Sequence, residues 1–269
     1  MDKTYVLGTD DEEIARLGVQ HNVWRPRMLD AWRRAGITTG QTIIDLGAGP
    51  GYATLDLAEI VGTEGHVMAV ERSQNFLDAL EEKAAHRKIS NISYHCVDID
   101  LSTLDDLSAD VVWCRWLLSF VTAPRSTVQK ISNTLRSGGI AVFHEYLDYG
   151  TWKHSPPIPE VETFVTAVMS SWRDTGGEPD IGRWLPGFLA EAGFKILDVR
   201  PLIDVVAPSS FVWQWPAGFV EGNLDRLVEA GRLSPEQASA THNALALAEA
   251  SPDSLVTTPC VLEIIAQRL

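Results

Sequence analysis

From Thr42 onward the chain alternates short apolar runs with stretches of helical spacing, and this rhythm limits the fold more than any other feature. Apolar runs at Thr42–Leu46, 66–70, 92–97, 110–114 and 140–145 read as buried strands. Between them lie helical stretches at 52–61, at 74–87 behind a Ser73 N-cap, and from Pro124 to about Arg136, where Ser137-Gly138-Gly139 ends the helix. Strands separated by helices predict a parallel, doubly wound α/β sheet, with right-handed crossovers placing helices on both faces. After Tyr149 the rhythm breaks. Segment 151–192 carries two helical stretches split by Thr175-Gly176-Gly177-Glu178-Pro179, a sixth strand is expected at 194–200, and 208–250 returns to helix with Ser234-Pro235-Glu236 as a start signal. Residues 261–266 read as a last strand. Residues 10–35 read as helical, and Pro26 predicts two short helices there.

Composition excludes several classes. With 269 residues, 45% of them apolar, the chain buries a core without disulfide or metal staples. Its three cysteines, Cys96, Cys114 and Cys260, are odd in number and form no C-x-x-C pair, which argues against a secreted disulfide scaffold. The polar N-terminus resembles no targeting peptide, and the most apolar window, 111–121, is too short to span a bilayer and contains Arg115. A cytoplasmic protein is the expectation. A net charge of −14 without a basic run predicts no nucleic-acid and no membrane partner.

Asp45-Leu46-Gly47-Ala48-Gly49-Pro50-Gly51 joins the first strand to the first helix of the alternating region. Open α/β sheets bind ligands beyond the carboxyl ends of their strands, and glycines there let a ligand lie against bare backbone. Glu71 ends the second strand, where a carboxylate can accept both ribose hydroxyls, and Asp98 follows the third, where it can meet an adenine edge. Three successive strand ends thus suit one adenosine. A dinucleotide fingerprint wants G-x-G-x-x-G, but Tyr52 stands at its third glycine and Pro50 removes an N–H from the loop.

At these residues the sequence resembles the class I S-adenosylmethionine-dependent methyltransferases of small-molecule type, including quinone-pathway and natural-product enzymes. Their D/E-x-G-x-G-x-G motif is matched in full by Asp45–Gly51, and the likeness runs through Glu71, Val97-Asp98, the 113–118 segment and Leu135-Arg136-Ser137-Gly138-Gly139. The resemblance implies a Rossmann-like seven-stranded sheet with a reversed last strand and a helical cap inserted after the fifth strand. In one compact unit, 1–40 would be a helical lid, 41–150 the cofactor-binding core, and 151–192 with 208–255 the cap. S-adenosylmethionine would be the cofactor and S-adenosylhomocysteine the product. Asp45, Gly47 and Gly49 would line its methionine part, Ala48 and Gly51 would belong to the same cofactor loop, Glu71 would hold the ribose, and Arg72 would lie beside the adenine. Asp98 would face the adenine amino group with Ile99 over the ring, Arg115 would sit near the sulfonium, and Gln20 and Trp24 would belong to the lid.

Subclasses separate on the same residues. Cys114-Arg115-Trp116-Leu117 stands where amino methylases carry N/D-P-P-Y/F, and Pro259-Cys260 lies in the last strand, far from the place of a cytosine-methylase nucleophile. The fourth-strand end offers no cluster of oxygen ligands and no histidine pair has helical ligand spacing, so no metal is expected. What remains is methyl transfer to a small, hydrophobic or aromatic acceptor under an aromatic-rich cap. That cap carries Trp152, Trp172, Trp184, Trp213 and Trp215. His144, at the end of the fifth strand, is the candidate general base. A nicotinamide oxidoreductase and a catalytically silent partner protein of the same fold are the alternatives, and the oligomeric state, homodimer included, stays open.

Overall fold

The computed structural model describes residues 8–269. In chain order the elements are α1 (Asp11–Ala35), β1 (Thr42–Leu46), α2 (Tyr52–Val61), β2 (His66–Glu71), α3 (Gln74–Arg87), β3 (Ile92–Cys96), β4 (Ala109–Arg115), α4 (Pro124–Thr134) and β5 (Leu135–Asp148). They continue with β6 (Lys153–Ser155), α5 (Pro159–Asp174), α6 (Leu185–Glu191), β7 (Phe194–Leu202), β8 (Val205–Val206), α7 (Gln214–Glu229), α8 (Pro235–Ala250), β9 (Leu255–Thr257) and β10 (Cys260–Arg268).

The alternating apolar runs build a seven-stranded sheet in the order β3-β2-β1-β4-β5-β10-β7. Strands β1 to β5 run parallel, and β10 is antiparallel to both β5 and β7, so the expected reversal of the last strand is present. β1 and β4 are neighbours although β2 and β3 intervene in sequence. That reversal of strand order opens a crevice at the carboxyl ends of the two strands. Ile44, Leu46, Val112 and Cys114 bury their side chains on one face of the sheet and Ile43, Val111 and Trp113 on the other, the alternation a doubly covered sheet requires.

Three expectations change. Residues 11–35 form one helix with Pro26 inside it. Proline deprives the Asn22 carbonyl of its partner, but both residues lie on the exposed face, where water replaces the bond. The opposite face, with Trp24, Met28 and Trp32 fully buried, holds the helix together across that gap. Segment 151–192 splits between two roles: α5 joins the cap, whereas Leu185 and Leu189 of α6 pack beside Val112 and Phe143 as a sheet-covering crossover helix. The cap is also not purely helical, because β6, β9 and β8 form a small antiparallel sheet in that order.

The cap has its own core, in which Trp152, Trp213, Trp215 and Phe164 gather with Phe219 and Val256. Trp24 from α1 and Trp116 and Tyr146 from the sheet ends enter the same cluster, so cap, lid helix and sheet share one apolar interior.

Candidate active site

The glycine loop turns tightly over the end of β1. Gly47, Gly49 and Gly51 all have positive φ, at 76°, 55° and 81°. At Gly51 a Cβ would stand 2.1 Å from Leu80 Cδ1, so close approach of α3 forbids any side chain there. A Cβ on Gly49 would meet nothing within 4 Å, which leaves bare backbone facing open space. The N–H groups of Gly47 and Ala48 donate to the Val70 carbonyl at 2.9 and 3.2 Å, tying the loop to β2.

Three carboxylates stand at successive strand ends. Glu71 accepts from the Gly49 N–H at 3.0 Å and from the Arg72 and Ser73 N–H groups at 2.9 Å each. Burial pushes its pKa up, and these three donors pull against it. Asp45 is buried beneath the loop, receives the Thr54 hydroxyl at 2.6 Å, and is raised by burial to about 6. Asp98 caps the turn after β3 by accepting from the Asp100 N–H at 2.9 Å, with Ile99 buried beside it.

At the end of β4 the polar rim gives way to rings. Arg115 lies 5.9 Å from the Trp113 ring centroid and 5.1 Å from that of Trp116. Trp116 is stacked with Tyr146 and Trp215 at 5.5 and 5.8 Å. The chain after Trp116 is held from below by Glu145, whose carboxylate accepts from the Leu117 and Leu118 N–H groups at 3.0 and 2.8 Å and from the Ser119 hydroxyl at 3.2 Å. Burial outweighs these donors and raises Glu145 to about 7.

Both halves line one cavity of about 1270 Å³, its open mouth included. Of the residues singled out in the sequence, Gln20, Asp45, Gly47, Ala48, Gly49, Glu71, Arg72, Asp98, Ile99 and Arg115 line it. Three do not. Trp24 is fully buried behind the wall, edge-on to Trp116 and Trp215 at 5.0 and 4.8 Å. Gly51 serves the backbone turn. His144, the expected base, is fully buried with Nε2 2.9 Å from Glu263, and burial lowers its pKa. It packs against Trp113 rather than facing the cavity, because its side chain leaves β5 on the face covered by α1. Of the five cap tryptophans only Trp172 reaches the cavity, and Trp184 is 47% exposed elsewhere.

The sequence reading missed Arg16 and Leu17, one helical turn before Gln20 on α1, and the wall rings Phe120 and Phe219. Helical spacing from Gln20 was a usable signal for the first pair. No local signal marks these rings, which come from separate segments. Among the described residues no group of three His, Cys, Asp or Glu residues could hold a metal, and no helix is long and apolar enough to cross a membrane.

A crevice at the β1/β4 switch point, a glycine loop of bare backbone and acidic residues at successive strand ends are the fold and site of the class I S-adenosylmethionine-dependent methyltransferases. A family model described as a methyltransferase domain matches residues 37–171, and the chain belongs to that family, whose cofactor is S-adenosylmethionine. Similar proteins include an arsenite methyltransferase of Halobacterium salinarum, 23% identical over 68% of this chain and 44% of that one. A demethylmenaquinone methyltransferase of Lactococcus lactis is 30% identical over 46% of this chain and 48% of its own. A ubiquinone biosynthesis O-methyltransferase of Coxiella burnetii is 28% identical over 39% and 43%. The matches span about half the length of these relatives. Among solved structures, a coclaurine N-methyltransferase has a TM-score of 0.58 at 18% identity, covering 90% of this chain and 72% of that one. The YcgJ protein of Bacillus subtilis has a TM-score of 0.56 at 14% identity, covering 88% and 95%. These two likenesses concern the fold.

Proposed function

We propose that the protein transfers a methyl group from S-adenosylmethionine to a small, hydrophobic or aromatic acceptor. The observation that carries this reading is the continuity of the cavity. Its glycine-loop half offers bare backbone and carboxylates, and its other half is walled by Trp113, Trp116, Tyr146, Trp172 and Phe219. S-adenosylmethionine supplies an activated methyl group on a sulfonium sulfur. Glu71 has lone pairs left beyond its three N–H donors and accepts the ribose hydroxyls. Asp45 and the loop N–H groups face the amino-acid part, Asp98, Ile99 and Arg72 the adenine, and Gln20 closes the site from α1. The aromatic wall excludes water and aligns the acceptor, which supplies the rate without a base at His144. Two relatives named for quinone-pathway methylation agree with a ring-shaped acceptor.

Isothermal titration with S-adenosylhomocysteine and with NADH tests the cofactor. S-adenosylhomocysteine is expected to bind with micromolar-order affinity, about −8 kcal/mol, and NADH not at all. Tight NADH binding without a response to S-adenosylhomocysteine would remove the methyltransferase reading.

A further inference from the structure

We propose that Arg115 and Trp116 form an oxyanion-binding corner of the cavity, so that the acceptor carries an anionic oxygen group, either a carboxylate or an ionised ring hydroxyl. The inference rests on the methyltransferase reading above and narrows its acceptor.

The cavity wall leaves the Arg115 charge unmatched, while Asp45, Glu71 and Arg16 are matched. Asp45 receives Thr54, Glu71 receives three N–H groups, and Arg16 makes a bidentate pair with Glu13 at 2.7 Å. Arg115 makes no direct ion pair among the described residues. Its guanidinium touches the Met28 sulfur at 3.8 Å and the rings of Trp113 and Trp116. Asp45 attracts it only at a distance, and burial lowers its pKa to about 10, which leaves it charged at neutral pH. An unmatched cation inside an apolar wall is costly and calls for an anion.

Trp116 supplies the second, independent observation. Its indole N–H is buried without an acceptor, as are those of Trp24, Trp32, Trp152 and Trp213, so the ring and not this N–H is what Trp116 presents. Its φ is 52°, a left-handed conformation that bulky residues rarely adopt. The surroundings enforce it. The Trp116 N–H donates to the His144 carbonyl at 2.9 Å, and Glu145 holds the next two N–H groups. The neighbouring Tyr146 and Trp215 rings stack with the indole. Strain kept in this way at a cavity wall places one ring beside the guanidinium. A guanidinium set in an aromatic frame binds a planar oxyanion through charge-assisted hydrogen bonds. A neutral acceptor would leave the guanidinium charge uncompensated. The sulfonium adds a second positive charge to the same space, so an anionic acceptor is favoured again once the cofactor is in place.

One other anion reaches this cavity, the amino-acid carboxylate of the cofactor itself. The test separates the two sources. Protein saturated with S-adenosylhomocysteine is titrated with cinnamate and with cinnamamide, its neutral counterpart, for wild type, Arg115→Met and Trp116→Phe. Cinnamate is expected to bind about tenfold tighter than cinnamamide to wild type. That preference should fall to about twofold or less in Arg115→Met, and cinnamate should weaken about threefold in Trp116→Phe. The wild-type comparison needs no variant, and thermal melts check that the variants fold. Equal binding of the two probes, or binding of neither, overturns the proposal. It is also overturned if Arg115→Met weakens S-adenosylhomocysteine but spares both methylthioadenosine, which lacks the carboxylate, and cinnamate. The guanidinium then serves the cofactor. Failure of S-adenosylhomocysteine to bind at all would fall on the methyltransferase reading, and the same probe pair on ligand-free protein would still decide the anion preference.

Discussion

Glu145 lies behind the cavity wall, yet it sets the geometry of the wall through three donors on Leu117, Leu118 and Ser119. Burial raises it to about 7, against about 4.3 for a free glutamate. The folded chain therefore keeps a proton that the unfolded chain loses between about pH 4.5 and 7, and the stability from this carboxyl falls as pH rises through that window. Relative to Glu145→Gln, which keeps the acceptor oxygen without titrating, the wild type should lose on the order of 1–3 kcal/mol from pH 4.5 to 7.5. Urea midpoints measured across that range check this, and parallel pH profiles for the two proteins would refute it. Glu71 gives a second outcome at the same scale. Glu71→Ala should weaken S-adenosylhomocysteine about tenfold to a hundredfold. It should also lower the melting temperature of the ligand-free protein, because the carboxylate bridges Gly49 to Arg72 and Ser73. An unchanged affinity would place the ribose elsewhere. The place of Glu71 on the cavity wall was legible in the sequence because it follows from a position at a strand end next to a glycine loop. His144 and Trp24 were not. The partner of His144 is Glu263, 119 residues later, and Trp24, one helical turn beyond Gln20, meets Trp215 only through the cap.

Elements announce themselves when their signals are local. Ser73 accepts from the Phe76 N–H at 3.3 Å, and Ser234 with Gln237 forms a full capping box. Pro124 opens α4 as its fixed φ allows. The small sheet gave no such signal, since β6 and β9 have three residues each, β8 has two, and their pairings join segments about a hundred and about fifty residues apart. α1 is the informative failure: Pro26 argues for a break, and tertiary packing overrides it. The helix is fastened to α2 through Asp56, which takes His21 at 3.1 Å and Arg25 at 2.8 Å, while the Tyr52 hydroxyl donates to the Ile14 carbonyl at 3.0 Å. Since Arg16, Leu17 and Gln20 reach the cavity from this helix, its fastening should bear on ligand affinity. Asp56→Ala leaves a buried imidazole and a guanidinium unmatched and should cost about 1–3 kcal/mol, with a severalfold loss of S-adenosylhomocysteine affinity. Ser234→Ala, at a cap far from the cavity, should cost about 1 kcal/mol and leave that affinity alone. Titration calorimetry on both variants decides the matter, and equal affinities would mean that α1 does not act as a lid.

Across the whole molecule, the apolar interior offers no seam along which cap and sheet would part. β5 runs from the sheet into the cap, its Tyr146 belonging to the cap cluster while Phe143 belongs to the sheet. β10 does the same with Val261 and Ile264, and Trp24 brings α1 into the cap cluster. Shared strands of this kind transmit loss of packing from one cluster to the other, so unfolding should be a single cooperative step. The tryptophans report on both parts: Trp152, Trp172, Trp213 and Trp215 sit in the cap cluster, Trp32 and Trp113 beneath the sheet. Thermal melts followed by tryptophan fluorescence and by far-ultraviolet circular dichroism should therefore coincide. Saturation with S-adenosylhomocysteine at a hundred times its dissociation constant should move both together, by the roughly 2.7 kcal/mol that mass action gives. That is about 5–10 °C for a chain near this size. Two separated transitions, or a ligand shift confined to one probe, would show that the cap melts independently. The aromatic wall would then belong to a part that opens while the glycine-loop half stays folded.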